Sequence, residues 1–384
     1  MDGRGAVAAA APSVFVLFRD SPLRRAALAA PHGSAERYWL FGADQLADRG
    51  FAVRHSLEPA LAPTALHRRL DRALRLGVAA GGGYGGDFAT VLASRAAANA
   101  ADVVLSTVDT VGIPAALLRA ARVLRPPLVY VRIGPLDRVE RLRNGVARRL
   151  YRRAVGASAA VVAYGHAEAE ALRAWLGPGT PVHFVPFGVD TAYFRPREQT
   201  PDVDVLSVGN DPQRDYALLR AVARRLPGRS FAVVASPDQA RALAGGAPNL
   251  SVDTGVPFAQ MRERLARARV VALPVRENLY SGATTTLLQA MAAGKPVVVS
   301  RTAAIAAGYG RADGSNCRLV PPGDEDAFAA AVEGLLADGD AASELGARAR
   351  ETVERSLGWE RYVDSVSAIL RASAAASSGP VTST

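Results

Sequence analysis

The chain has 384 residues, 49% hydrophobic and 21% charged, with a formal net charge of +10. This is the composition of a folded protein with room for two domains, and it excludes a disordered or fibrous chain. Cys317 is the single cysteine, which excludes an intrachain disulfide, leaves too few thiolates for a usual structural zinc site and fits a reducing, cytoplasmic setting.

Lys295 is the one lysine, so the basic excess is arginine. A positive field favours phosphates or acidic lipids, and no aromatic-interleaved basic stripe points to nucleic acid. The N-terminal stretch RGAVAAAAPSVFVLF has the charged end of a short signal peptide, but Pro12 and Ser13 interrupt it. Residues 14–18 are therefore read as the first buried strand. No run approaches the roughly 20 apolar residues of a spanning helix.

Short apolar runs then alternate with amphipathic stretches, the pattern of parallel strands with crossover helices. Strands are expected at 14–18, 52–55, 102–106, 128–131, 160–163 and 183–186, with helices at 36–49, 91–98 and 113–122. The glycine run 81–88 reads as a mobile loop rather than a phosphate cradle. Residues 138–153 hold seven arginines around Val139, Leu142, Val146 and Leu150, which share one helical stripe. That segment is either a core-facing helix with a solvated basic face or a surface helix touching an anionic membrane.

The pattern restarts after the polar joint RPREQTP at 195–201. Strands are expected at 203–208, 230–234, 250–252, 270–273, 296–299 and 317–320, and helices at 216–225, 258–267, 285–293 and 325–336. Two successive α/β sets imply two doubly wound, Rossmann-like domains with ligand loops at the carboxyl ends of their strands. The division is 1–194, 195–358, a closing helix at 359–374 and a disordered tail at 375–384.

Within YSGATTTLLQAMAAGKPVVVS, at 280–300, an uncharged turn leads directly into an apolar helix. A helix start offers unpaired amides and a partial positive charge, which suit a phosphate. Gly282 would let a ligand near the backbone, and Ser281, Thr284 and Thr285 could cap the helix or reach the ligand beside Ala283. Lys295 reads as charge at the end of that helix.

The stretch LPVRENLYSGATTTLLQAMAAGKPVVVSRTAAI resembles the donor segment of retaining glycosyltransferases of the GT-B fold, the bacterial group 1 enzymes of family 4. HFVPFGVDTAYFRP, PHGSAERYWLFGADQLADRGFAVRHSL, VLSVGNDPQRDYALLRAV and CRLVPPGDEDAFAAAV resemble that family's other signatures in the same order. The resemblance implies a GT-B pair of Rossmann-like domains across a cleft, with the closing helix bracing the first. It implies a hexosyltransferase using a UDP- or GDP-sugar as co-substrate, with no metal and no other cofactor. Gly33 and Ser34 match the loop that approaches the transferred sugar, with His32 beside them as an acceptor-side candidate.

Two departures from the family pattern stand out. Its paired glutamates are replaced by Ser281 and Gln289; Gln289 keeps an oxygen for the ribose hydroxyls without the charge. Its diphosphate-binding arginine is replaced by Asn210, which leaves Arg214 as the candidate cation. Glu277, Asp109 and His166 are the catalytic candidates, and Arg132 an acceptor-side candidate. For Asp109 and Arg132 the alternative is a salt bridge or loop solubility. The acceptor, whether small molecule, glycan or lipid-linked, stays open, as does peripheral contact with the inner membrane face. The rivals are another GT-B enzyme such as an epimerase, a pseudo-glycosyltransferase, and an inactive GT-B partner subunit that binds sugar nucleotide without transfer.

Overall fold

The structure, a computed structural model, describes residues 11–80, 83–132, 144–280 and 282–377. Ser281, Arg138, Arg141, Arg143, Val139, Leu142 and the tail from 378 onward lie outside them, as do two glycines of the run at 81–88.

Strands β1 (Ser13–Leu17), β2 (Ala52–His55), β3 (Val103–Ser106), β4 (Leu128–Arg132), β5 (Ala160–Ala163) and β6 (Val182–Phe184) form one sheet, ordered β2-β1-β3-β4-β5-β6. Strands β7 (Val203–Val208), β8 (Phe231–Ala235), β9 (Leu250–Thr254), β10 (Ala268–Leu273), β11 (Val297–Ser300) and β12 (Arg318–Val320) form the other, ordered β12-β11-β10-β7-β8-β9. Every pairing is parallel. Central strands such as β5 and β11 are buried at every residue, because helices cover both faces; this is why they read as unbroken apolar runs. All twelve expected strands are present, with ends within two residues of the reading. In the second sheet the order reverses between β7 and β10, so their carboxyl-end loops open a crevice.

The helices depart further. Residues 36–49 form three separate 3₁₀ turns, because Phe41 (φ 52°) and Gly42 (φ 75°) are left-handed and interrupt any continuous helix. The stretch 91–98 belongs to two short helices, Phe88–Ala93 and Arg95–Asn99. An unanticipated helix spans Ala65–Ala80 and buries none of its residues. In the basic helix Gly145–Gly156 the core side is Tyr151, Ala154 and Val155, whereas Val146 and Leu150 are 70% and 50% exposed. The core-facing reading of that stripe is therefore corrected for these two residues.

The chain passes between the halves twice, and the two passages lie side by side: Val189 donates to the Leu357 carbonyl and Trp359 to the Val189 carbonyl, each at 3.0 Å. The last helix, Trp359–Ser377, runs three residues into the expected tail. It packs on the first half, where Arg49 pairs with Glu360 and Asp364 and the Tyr362 hydroxyl meets that of Tyr164 at 2.9 Å.

Helix Gly339–Ser356 crosses the end of Thr284–Ala292 so closely that a Cβ on Gly346 would fall 2.1 Å from the Gly294 carbonyl oxygen. Gly346→Ala should therefore cost about 1–3 kcal/mol through overpacking. Calorimetry should show the second half's thermal midpoint falling by several degrees; an unchanged midpoint would mean the helices separate without cost.

Candidate active site

The loops after β7 and β10 enclose a cavity of about 480 Å³. Gly209, Asn210 and Arg214 line it from the β7 side, Gly282, Thr285, Thr286 and Gln289 from the β10 side, and Val256, Pro257 and Phe258 from beyond β9. Tyr38 and Trp39 of the first half roof it.

Helix Thr284–Ala292 starts at this cavity. Its cap position is Ala283, and among the described residues no side chain caps it, which leaves first-turn amides with donors to offer. Simple capping by a described hydroxyl is thereby set aside. The Gly282 amide is already engaged, donating to the Tyr280 carbonyl at 3.0 Å. Its missing side chain makes room for Asp211 rather than only for a ligand: a Cβ there would lie 2.9 Å from Asp211 Oδ1. Asp211 in turn accepts from the Tyr280 hydroxyl at 2.7 Å.

Arg214 is buried at the foot of that helix. Its Nη2 donates to Thr286 Oγ1 at 3.1 Å, and the Thr286 hydroxyl in turn donates a hydrogen bond to the Val208 carbonyl at 3.2 Å. Among the described residues Nε and Nη1 have no hydrogen-bond partner. Burial depresses the guanidinium below its ordinary range, with partial opposition from Tyr216 and Asp211. It lies flat on Gly209, where a Cβ would come 2.4 Å from Nε. A buried cation with free donors beside unpaired helix amides makes a strong anion site. Thr286, Asp211 and Gly209 were missed in the sequence; only Gly209, directly after a strand, carried a signal.

Thr285 Oγ1 accepts from the Tyr38 hydroxyl at 3.2 Å, tying the first half to helix Thr284–Ala292. Tyr38 stacks on Phe258 with centroids 5.5 Å apart and planes 16° apart. Gly33 and Ser34 line an adjoining cleft of about 50 Å³ with Tyr38, Tyr193 and Trp359, and His32 is exposed beside them. The Thr284 hydroxyl faces Tyr309, which donates to the Tyr164 carbonyl at 2.5 Å and accepts from the Phe187 amide at 3.0 Å.

Asp109 and Arg132 meet in a second group in the first half. The Tyr130 hydroxyl donates to Asp109 Oδ1 at 2.5 Å, and Arg132 Nε lies 3.6 Å from Glu168 Oε1. Arg132 thus has a buried carboxyl neighbour that the sequence concealed, at a separation beyond a hydrogen bond. Burial pushes the Glu168 carboxyl up to about 8, outweighing the attraction of Arg132, with Asp109 reinforcing the rise. His166 stands nearby at the start of helix His166–Leu176, half-exposed against Phe184 and 3.7 Å from Glu170. Glu277 is exposed and accepts from the Ala303 amide at 3.2 Å, so it serves a helix start and lies outside the cavity lining. Lys295 donates to the Ala266 and Ala268 carbonyls at 2.7 and 2.9 Å, ending helix Phe258–Arg267 rather than its own.

The folded chain holds the Glu168 proton to higher pH than the unfolded chain does. The associated stability is complete below about 4.5 and is lost as pH rises through about 8. Urea midpoints measured between about pH 5 and pH 8 should fall more for the wild type than for Glu168→Gln. Parallel profiles would mean that Glu168 is ionised throughout.

Residues 197–338 match the family described as Glycosyl transferases group 1, and residues 35–193 match Glycosyltransferase Family 4. The MMP alpha-(1->4)-mannosyltransferase of Mycolicibacterium hassiacum is 29% identical over 190 residues, covering 47% of this chain and 45% of that protein. The alpha-maltose-1-phosphate synthase of Mycolicibacterium smegmatis is 30% identical over 223 residues, covering 50% of this chain and 56% of that protein. The chain thus spans about half the length of these relatives. Sucrose-phosphate synthase from Thermosynechococcus elongatus superposes with a TM-score of 0.71 at 17% identity, covering 95% of this chain and all of that one. Anabaena Alr3699/HepE in complex with UDP-glucose gives 0.66 at 15% identity, covering 94% of this chain and 99% of that one. These likenesses show the two-domain GT-B fold, and with the two family matches running in order from residue 35 to residue 338 the chain belongs to the group 1, family 4 glycosyltransferases.

Proposed function

We propose that the chain is a retaining, metal-independent hexosyltransferase that takes its sugar from a UDP- or GDP-sugar and delivers it to an acceptor hydroxyl. One observation carries the donor half of this reading: Arg214, buried with two unbonded nitrogens at the foot of an uncapped helix, inside a cavity of about 480 Å³. A diphosphate supplies what those groups lack, and their combined positive potential can stabilise it as a leaving group without a cation of its own. Val256 and Pro257 offer an apolar wall for the base, and the Gln289 amide oxygen an acceptor for ribose hydroxyls. A solved relative in complex with UDP-glucose supports the choice of donor class.

In the proposed reaction the bond from the anomeric carbon to the diphosphate oxygen breaks while the acceptor oxygen bonds on the same face. The acceptor proton passes to a departing phosphate oxygen. Arg214 and the amides at Thr284 and Thr285 meet the growing negative charge. Asp109, Arg132 and His166 are the residues from which the first half would orient the acceptor. The replacement of the family's two carboxylates by Ser281 and Gln289 favours one second reading, a partner subunit that binds sugar nucleotide without turning it over.

Arg214→Met separates binding from folding. Removing a buried, half-satisfied cation should leave the unliganded protein at least as stable, because its desolvation cost disappears. The thermal shift produced by UDP or GDP should be lost, with affinity falling by roughly 30-fold or more. A shift that persists in the variant, or is missing from the wild type, would overturn the donor assignment. Release of free nucleoside diphosphate from UDP- or GDP-sugars with an acceptor would exclude the inactive-subunit reading.

Gln289→Glu should tighten nucleoside diphosphate binding severalfold, since a carboxylate accepts ribose hydroxyl bonds more strongly than an amide. Calorimetric titration with UDP and GDP checks this, and weaker binding of both would place the ribose elsewhere.

A further inference from the structure

The net charge is unevenly placed. Residues 65–156 hold sixteen arginines against six carboxylates, a balance of +10 that equals the charge of the whole chain. The rest of the protein is neutral as a body. Most of the large apolar side chains left exposed lie in the same stretch: Leu66, Leu70, Leu74, Leu76, Val146 and Leu150. Exposed apolar groups concentrated where the positive charge is concentrated form an amphipathic basic surface.

Two helices build it. In Ala65–Ala80 the leucines at 66, 70 and 74 recur every four residues and form one stripe, with exposed Arg68, Arg72 and Arg75 along the neighbouring flank. Among the described residues its inner side engages the domain through Asp71, which accepts from the Phe88 amide at 2.9 Å, through Val78, and through the stem of Arg75 against Gly85. In Gly145–Gly156, Val146 and Leu150 are exposed between Arg149, Arg152 and Arg153. The helices adjoin, for a Cβ on Gly83 would touch Val78 of the first and Tyr151 of the second, and the Tyr151 hydroxyl donates to the Tyr84 carbonyl at 2.6 Å. Among the described residues the ion pair on this surface is Arg75 with Asp71, at 3.7 Å.

We propose that the Ala65–Ala80 and Gly145–Gly156 surface docks on an anionic phospholipid bilayer, the arginines meeting lipid phosphates and the leucines entering the headgroup–acyl boundary. Charge complementarity selects this occupant. A second copy of the chain placed here about a two-fold axis would set arginines against arginines. A nucleic acid would satisfy the arginines and leave the leucine stripe in water. Among the described residues no helix is long and apolar enough to cross a membrane, so attachment is to the surface. Docking does not rest on the nucleotide-sugar reading, and its test is read without nucleotide.

The test is flotation of the full chain with phosphatidylcholine vesicles, with and without about 30% phosphatidylglycerol, at low and high salt. The chain should float with the anionic vesicles only, and less at high salt. Arg148→Gln, Arg149→Gln and Arg152→Gln combined should cut partitioning roughly a hundredfold. Leu66→Ser with Leu70→Ser should cut it roughly tenfold while leaving salt sensitivity unchanged. All five residues are exposed, and the circular dichroism melt of each variant should match the wild type. Equal binding to neutral vesicles would overturn the proposal. So would anionic binding untouched by either variant, a chain that dimerises through these residues without floating, or one that binds an oligonucleotide but no vesicle.

Discussion

Arg214 sets the terms for the second half. A guanidinium buried with two unbonded nitrogens is a standing cost to the folded state, on the order of several kcal/mol, unless something arrives to share its charge. The surrounding chain is arranged to keep it in place. Gly209 has no side chain so that the guanidinium can lie on the backbone, and Thr286 links it to the end of β7. No described side chain caps the helix that starts above it. Each feature alone is a minor oddity of packing. Together they are a site that stores positive potential before any ligand is present, as an anion site requires.

The first half is built on the opposite principle. Its cluster of Asp109, Tyr130, Arg132 and Glu168 is charged but largely self-compensating, and one of its carboxyls holds its proton near neutral pH. The two halves therefore differ in their electrostatics, an unsatisfied cation in one and a partly neutralised acid–base group in the other. Tyr38 bridges them, bonded to Thr285 and stacked on Phe258. The first turn of helix Thr284–Ala292 is thus tied to the first half through Tyr38 at Thr285, and Tyr309, beside Thr284, bonds to Tyr164 and Phe187.

The strands were legible because parallel strands buried on both faces must be apolar throughout, and runs such as VVVS and AVVA admit little else. The corner that lines the second half's cavity drew notice because hydroxyl and glycine residues without charge before an apolar helix are unusual. Tertiary partners hid the rest. Glu168 drew no notice in the sequence, yet it turns inward to Arg132. Lys295 looked like a cap for its own helix and instead serves carbonyls 27 and 29 positions earlier. Residues 36–49 had a helical pattern that two left-handed residues cancelled. The leucines and arginines of Ala65–Ala80 gave no strand or core signal, since their spacing serves a surface.

The paired passages at Val189 and Leu357–Trp359 have a mechanical consequence. Two connections far apart would pin the halves like a door on both edges. Laid side by side and hydrogen-bonded, they act as one narrow ribbon, stiff to shear and soft to bending about its own line. Swinging about that line changes the gap between Tyr38 and Thr285 while leaving each sheet intact, so substrate entry and product escape can share a single motion.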